Sequence, residues 1–175
     1  MKLLAISGSL RATSSNAALV RAAARFAPAG VVVEPYDGVA GLPQFSPDLD
    51  VDPLPAPVTT LRAAVGASRG LVIATPEYAH GMPGSLKNAL DWLVSATEPI
   101  DMPVLLISAS PGGAAHAHAQ FSEVLRTMSM KLVDGGAHVF SRAKLDARGE
   151  VADQALLAAL QAGMARLVEL ASAPR

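Results

Sequence analysis

The chain is 175 residues long, carries a formal net charge of −1 and contains no cysteine. That length predicts one domain with one core over residues 1–175. The missing thiol excludes disulfides, thiolate metal sites, cysteine-ligated clusters and cysteine nucleophiles, and the near-neutral charge without a basic cluster argues against a nucleic-acid partner.

Hydrophobic residues make up 51% and charged residues 17%, a globular composition in which much of the apolar content is alanine. The apolar run behind Met1-Lys2 ends at the polar Ser7-Gly8, too short for a leader core. No stretch approaches the roughly 20 apolar residues of a membrane span. With no cysteine, these features lead to the expectation of a cytoplasmic protein with no membrane partner.

In chain order, apolar runs predict strands at Leu3–Ser7, Val31–Tyr36, Leu71–Thr75 and Val104–Ser108, with a fifth around Ala137–Phe140. The first four read as unbroken rather than alternating, the pattern of parallel strands covered on both faces. Helical spacing fills the intervals at Asn16–Phe26, Val58–Ala67, Pro83–Val94, His116–Met130 and Ala152–Ala171. Strand-helix units repeated about five times predict an α/β doubly wound sandwich: a five-stranded parallel sheet of order 2-1-3-4-5 with helices on both faces. The stretch Asp37–Pro57 holds five prolines. It reads either as a functional loop or as a solvated connection stiffened by proline.

In such a sheet ligands bind at the carboxyl ends of the strands, near the reversal of strand order. The loop after strand one is Ser7-Gly8-Ser9-Leu10-Arg11-Ala12-Thr13-Ser14-Ser15-Asn16 and runs straight into a helix. Hydroxyls, a guanidinium and a helix N-terminus together make an anion site; a plain N-cap explains only one of the serines. The phosphate-binding patterns GxxxxGK[ST] and GxGxxG are absent, which leaves a hydroxyl-rich loop for a phosphomonoester of the kind FMN carries.

The loop after strand three, Thr75-Pro76-Glu77-Tyr78-Ala79-His80-Gly81-Met82-Pro83-Gly84, offers Tyr78 and His80 as flat faces for a ring. The same two residues also read as a packed aromatic and a surface histidine. Trp92 reads as core or interface, and Lys87 and Asp91 as an i,i+4 surface pair. The loop after strand four, Ser108-Ala109-Ser110-Pro111-Gly112-Gly113, lets backbone approach a ligand at its two glycines, or simply turns into the next helix. His116 and His118 are two apart and do not share a helix face, so no metal site is expected from them.

Taken together, Gly8-Ser9-Leu10-Arg11 with Ser14 or Ser15 and Asn16, Pro76-Glu77-Tyr78, and Pro83-Gly84-Ser85-Leu86-Lys87-Asn88-Ala89-Leu90-Asp91-Trp92 resemble the NADPH-dependent FMN reductase family of flavodoxin-like quinone, azo-dye and chromate reductases. Leu42-Pro43-Gln44-Phe45-Ser46-Pro47-Asp48-Leu49-Asp50 is similar to that family's loop after strand two. The resemblance implies an FMN phosphate held by Ser9, Arg11, Ser15 and Asn16, with Ser14 fitting the family spacing directly. It implies a ring edge against Pro76, Glu77 and Tyr78 and against the loop carrying Ser110, Gly112 and Gly113.

The resemblance further implies NADPH or NADH as donor, a small-molecule acceptor (quinone, azo compound, metal oxyanion or free flavin), and homodimers or homotetramers. Two departures stand out. The family's asparagine after Pro-Glu-Tyr is Ala79 here, so its contact falls to backbone or to His80, and the third loop lacks an arginine that some relatives carry. No side chain is assigned as a general base, because the flavin supplies the chemistry. A flavodoxin-type electron carrier is the alternative; the small net charge disfavours it, since carriers are usually acidic.

Overall fold

Five parallel strands form one sheet in the order β2-β1-β3-β4-β5, in a computed structural model that describes residues 1–11 and 13–173. They are β1 (Lys2–Ser7), β2 (Val32–Tyr36), β3 (Leu71–Thr75), β4 (Pro103–Ser110) and β5 (Lys131–Val139). The helices between and after them are α1 (Ser15–Arg25), α2 (Ala56–Gly66), α3 (Gly84–Asp91), α4 (Ala115–Thr127) and α5 (Gln154–Ser172). Each connection crosses one face of the sheet, as a parallel pairing requires.

Two cores result, one per face. On one side Leu3, Ala5, Leu105 and Ile107 pack against α1 and α5 through Leu19, Leu160, Met164 and Leu167. On the other, Leu4, Ile6, Ile73 and Leu106 pack against Leu61, Leu90, Trp92, Phe121 and Leu125. The three inner strands are the apolar ones because both their faces are covered. β3 and β4 are buried at every position.

The edge strands depart from the sequence expectation. In β2 only Val33 is buried, while Val32 is 58% exposed and Glu34 pairs with Lys2 at 2.7 Å. The expected unbroken apolar strand is thus an edge strand with a single buried side chain. β5 begins six residues before the expected Ala137 and ends at Val139. Its Asp134-Gly135-Gly136 centre breaks the apolar run that would have announced it, and the pairing with β4 slips between Leu106 and Ser108. Polar residues and an irregular register suit an edge, where a flat apolar strand would invite aggregation.

Helix ends move for local reasons. α4 stops at Thr127 rather than Met130, because Ser129 turns left-handed (φ 59°) and the Met130 N–H returns to the Leu125 carbonyl at 3.0 Å. α5 starts after Asp153, whose carboxylate accepts the Leu156 N–H at 3.0 Å. Together with the Lys144 ammonium at 2.6 Å, this holds the Asp153 carboxyl below the usual range. Lys87 and Asp91 do pair on α3.

The proline-rich stretch 37–57 is more than a solvated connection: it is docked onto α3. The Pro43 carbonyl accepts from Asn88 Nδ2 at 2.9 Å and from Trp92 Nε1 at 2.8 Å. Asn88 Oδ1 accepts the Phe45 N–H at 2.7 Å, and the Phe45 ring meets Trp92 edge-on at 5.1 Å. Farther along, Asp50 accepts from Ser95 and from Arg62, contacts that lower its pKa. The Asn88–Trp92 motif of α3 therefore works as the dock for this segment.

Ser7 of β1 lies opposite Ala74 of β3, and Thr75 of β3 opposite Ser108 of β4. The loops after β1, β3 and β4 consequently leave the sheet side by side, at the point where strand order reverses. Gly8 is required there by close approach: a Cβ on it would lie 2.5 Å from Thr75 Oγ1.

Candidate functional site

A cleft of about 340 Å³ opens where these loops meet, within the range of small-ligand sites, roughly 300–1,000 Å³. The first loop contributes Ser9, Arg11, Thr13, Ser14, Ser15 and Asn16 to its wall. Ser14 is the N-cap of α1, its Oγ accepting the Ala17 N–H at 2.9 Å, and Ser9 Oγ accepts the Arg11 N–H at 3.4 Å. Both hydroxyls accept in these bonds, so each keeps its own proton to donate.

Asn16 is 3% exposed and bridges two loops: its Nδ2 donates to the Ala109 carbonyl at 3.1 Å. Its Oδ1 is buried and has no donor among the described residues. Flipping the amide would set two acceptors against each other, so the orientation is determined. An orphaned acceptor of this kind costs about 1–3 kcal/mol until something donates to it. The Arg11 guanidinium is exposed and has no protein partner among the described residues. It also walls an adjoining cleft of about 240 Å³ bounded by Tyr36, Asp37 and Val39, where burial raises the Tyr36 pKa.

The second loop divides its residues between two tasks. Pro76 and Tyr78 line the cleft, with Tyr78 52% exposed. Glu77, Ala79 and His80 do not line it. The Glu77 carboxylate accepts the Ala117 N–H at 2.9 Å, in the first turn of α4. α4 has no side-chain cap of its own at Ala114, and a carboxylate there also suits the helix dipole. The His80 ring stacks on His116 at 4.4 Å and 20°. Gln120 Oε1 accepts the Met82 N–H at 3.2 Å. These contacts tie the loop to α4 and fix the angle at which Tyr78 is presented.

Tyr78 and Gly81 exchange two backbone hydrogen bonds of 2.9 Å around a two-residue turn, Ala79-His80, in which both residues have positive φ (48° and 57°). This turn geometry favours asparagine or glycine; alanine there carries strain of about 1–2 kcal/mol. The departure noted at Ala79 is thus first of all a backbone matter. Ala79→Asn is expected to stabilise the protein by about 0.5–1 kcal/mol, or about 2–4 °C per kcal/mol in a thermal melt. An unchanged or lower Tm would show that the turn is not strained at this position.

The third loop brings Ala109, Ser110 and Pro111 to the cleft, while Gly112 and Gly113 turn away into α4. Gly113, at φ 89°, closes a turn through its N–H to the Ser110 carbonyl at 3.0 Å. Phe140 and Arg142 complete the wall from beyond β5. Sequence reasoning missed both, because it sought the site in the loops after strands one, three and four, took Phe140 as the end of the fifth strand and left Arg142 in the connection to the last helix. Thr13 was passed over among its hydroxyl neighbours.

Elsewhere, His118 sits between Ser108 Oγ and Asp134 Oδ1, both at 3.0 Å, and joins β4, α4 and β5. A larger depression of about 490 Å³ lies between β5 and α5, lined by Leu132, Ala159, Gly163, Arg166 and Leu170 among others. It lies away from the strand-end loops and lacks their gathered hydroxyls. The cleft at the strand ends gathers hydroxyl and guanidinium donors.

The family model of NADPH-dependent FMN reductases matches residues 1–144. An NAD(P)H-dependent FMN reductase of Pseudomonas aeruginosa is 36% identical over 126 residues, and a quinone reductase of Escherichia coli K12 is 34% identical over 124. Each alignment covers 69% of this chain and 66% of the relative, so the matched part spans about two thirds of these relatives. Among solved structures, the flavoenzyme NAD(P)H:(acceptor) oxidoreductase FerB of Paracoccus denitrificans superposes with a TM-score of 0.83 at 25% identity, over 97% of this chain and 96% of that one.

Proposed function

The chain belongs to the NADPH-dependent FMN reductase family, and from that premise we propose that it is an FMN-dependent oxidoreductase passing two electrons from NADPH or NADH to a small acceptor such as a quinone. The observation that carries the reading is the chemistry of the cleft. Its wall gathers guanidinium groups, serine and threonine hydroxyls, the first turn of a helix and Asn16, whose buried Oδ1 has no donor among the described residues.

These donors fit FMN in two ways. Ser9, Arg11, Thr13, Ser14 and Ser15 are donors, and a phosphate dianion offers only acceptors. Asn16 Oδ1 is an acceptor and needs an O–H, which the ribityl chain of FMN has and its phosphate lacks.

Bound here, FMN would supply the two-electron chemistry. The protein's own contribution is binding and placement. Asn16 locks the first loop to the third through the Ala109 carbonyl, so the two walls are held at a fixed spacing. Glu77, His80 and Gln120 anchor the second loop on α4 and hold Tyr78 at the mouth, an exposed flat face for a planar ring. The cleft is open on the Tyr78 side, which suits a site where donor and acceptor use one face in turn.

Assembly into homodimers or homotetramers in the cytoplasm belongs to the same proposal; Val94 and Ile100, 65% and 51% exposed, provide apolar surface for such contacts. Varying NADPH at several fixed concentrations of benzoquinone tests the activity. Parallel double-reciprocal lines are expected, and intersecting lines would contradict alternate use of one face.

A further inference from the structure

Arg142 lines the same cleft as the first loop, from a segment more than a hundred residues farther along the chain. It opens the short helical turn Arg142–Lys144 that follows β5, on a backbone fixed at both ends. The Phe140 N–H donates to the Ser110 carbonyl at 2.9 Å and the Phe140 ring is fully buried. Beyond it, Lys144 Nζ donates to the Val139 carbonyl at 2.8 Å and pairs with Asp153. The neighbouring cation is thus fully engaged, whereas the Arg142 guanidinium has no hydrogen bond or ion pair among the described residues.

A lone exposed arginine needs no explanation. Here, however, Arg142 shares its cleft with Arg11, also unpartnered, and the described wall contains neither aspartate nor glutamate. Two cations on one cleft, whose wall holds hydroxyl donors and no carboxylate, the nearest named acid being Asp37 on the adjoining cleft that Arg11 also walls, form a positive site. A doubly charged anion in the cleft would answer both charges. Guanidinium forks are matched to phosphate oxygens.

We propose that Arg142 is the second arm of a two-guanidinium clamp on the phosphate of FMN, closing the cradle that Arg11 and the α1 N-terminus open, and that it makes the protein select FMN over unphosphorylated riboflavin. This deepens the FMN reading above and rests on it. The site then draws its phosphate ligands from two distant segments, the loop after β1 and the turn after β5. FMN binding would link the two, and would hold the last third of the chain to the first.

The test compares the full-length apoprotein with its Arg142→Gln variant, measuring quenching of flavin fluorescence by titration with FMN and, separately, with riboflavin. A charge-assisted contact to phosphate predicts that FMN binds about tenfold more weakly to the variant while riboflavin binding changes less than twofold. The decline of FMN affinity with salt should also become shallower, and Arg142→Lys should restore part of the loss.

Equal losses for both flavins would assign Arg142 a structural role and overturn the clamp, as would no loss for either. Unchanged FMN affinity with a weakened preference for NADPH over NADH would place the guanidinium on the donor's 2′-phosphate instead, and would also overturn it. If the unaltered protein binds neither flavin, the FMN reading itself fails and the clamp with it. That outcome is distinguishable because it appears before any substitution is made.

Discussion

Trp92→Ala is expected to cost about 3–5 kcal/mol of stability, the range for removing a large aromatic from a packed core. Trp92 is fully buried, and its indole does two things at once. Its ring fills the space between α3 and the sheet and meets Phe45 edge-on, while its N–H holds the Pro43 carbonyl. At about 2–4 °C per kcal/mol the midpoint should fall by roughly 6–20 °C. The segment 37–57 should become the first site of proteolysis, because among the described residues its remaining hydrogen bonds to α3 run through Asn88. Trp92→Phe keeps most of the packing and loses one hydrogen bond, so a loss of about 1 kcal/mol is expected. A loss below 1 kcal/mol for the alanine variant, measured by urea or thermal unfolding, would mean that this dock is not an organising contact.

Asn16→Ala is expected to weaken FMN binding about 10- to 100-fold with little change in the stability of the apoprotein. The two effects separate because the side chain does opposite things. Its Nδ2 bond to the Ala109 carbonyl stabilises the fold, and its buried, unpartnered Oδ1 destabilises it. Removing both leaves a net change within about 1 kcal/mol. In the complex the Oδ1 gains a donor, so the variant forfeits a buried hydrogen bond worth about 1–3 kcal/mol, and each 1.4 kcal/mol is a factor of ten. Apoprotein stability lowered by more than about 2 kcal/mol, with FMN affinity intact, would make Asn16 a strut between α1 and β4 and nothing more.

Most of the architecture was legible because burial on both faces leaves a plain mark. β1, β3 and β4 are unbroken apolar runs, and the sequence expectation places each within a residue or two of its position in the structure. The edges were harder for a physical reason. β5 needs only one apolar face, carries Asp134 and two glycines at its centre, and reads as a loop to any search for apolar runs. β2 read as more buried than it is, because periodicity reports side-chain polarity and not which strand lies at the rim.

The site was legible in composition and less so in direction. The spacing of Ser9, Arg11, Ser14 and Asn16 was visible as a loop entering a helix, and these four do share one cleft. Pro76-Glu77-Tyr78 and Ala79-His80 looked like one binding surface. Yet Glu77 and His80 face α4, through a helix terminus and a histidine ring that are 40 and 36 positions away in sequence. Only tertiary structure reveals such partners. Arg142 escaped because the search kept to the loops after β1, β3 and β4, and nothing in the sequence says that the turn after the edge strand β5 reaches the same cleft.

The most direct test of the central claim is a visible absorption spectrum of the purified protein, loaded with FMN, freed of excess, and recorded before and after anaerobic addition of NADPH or NADH. The account predicts flavin bands that survive removal of free FMN and bleach when the nicotinamide is added. Flavin lost on removal of excess, or flavin retained but left oxidised by both nicotinamides, would contradict it.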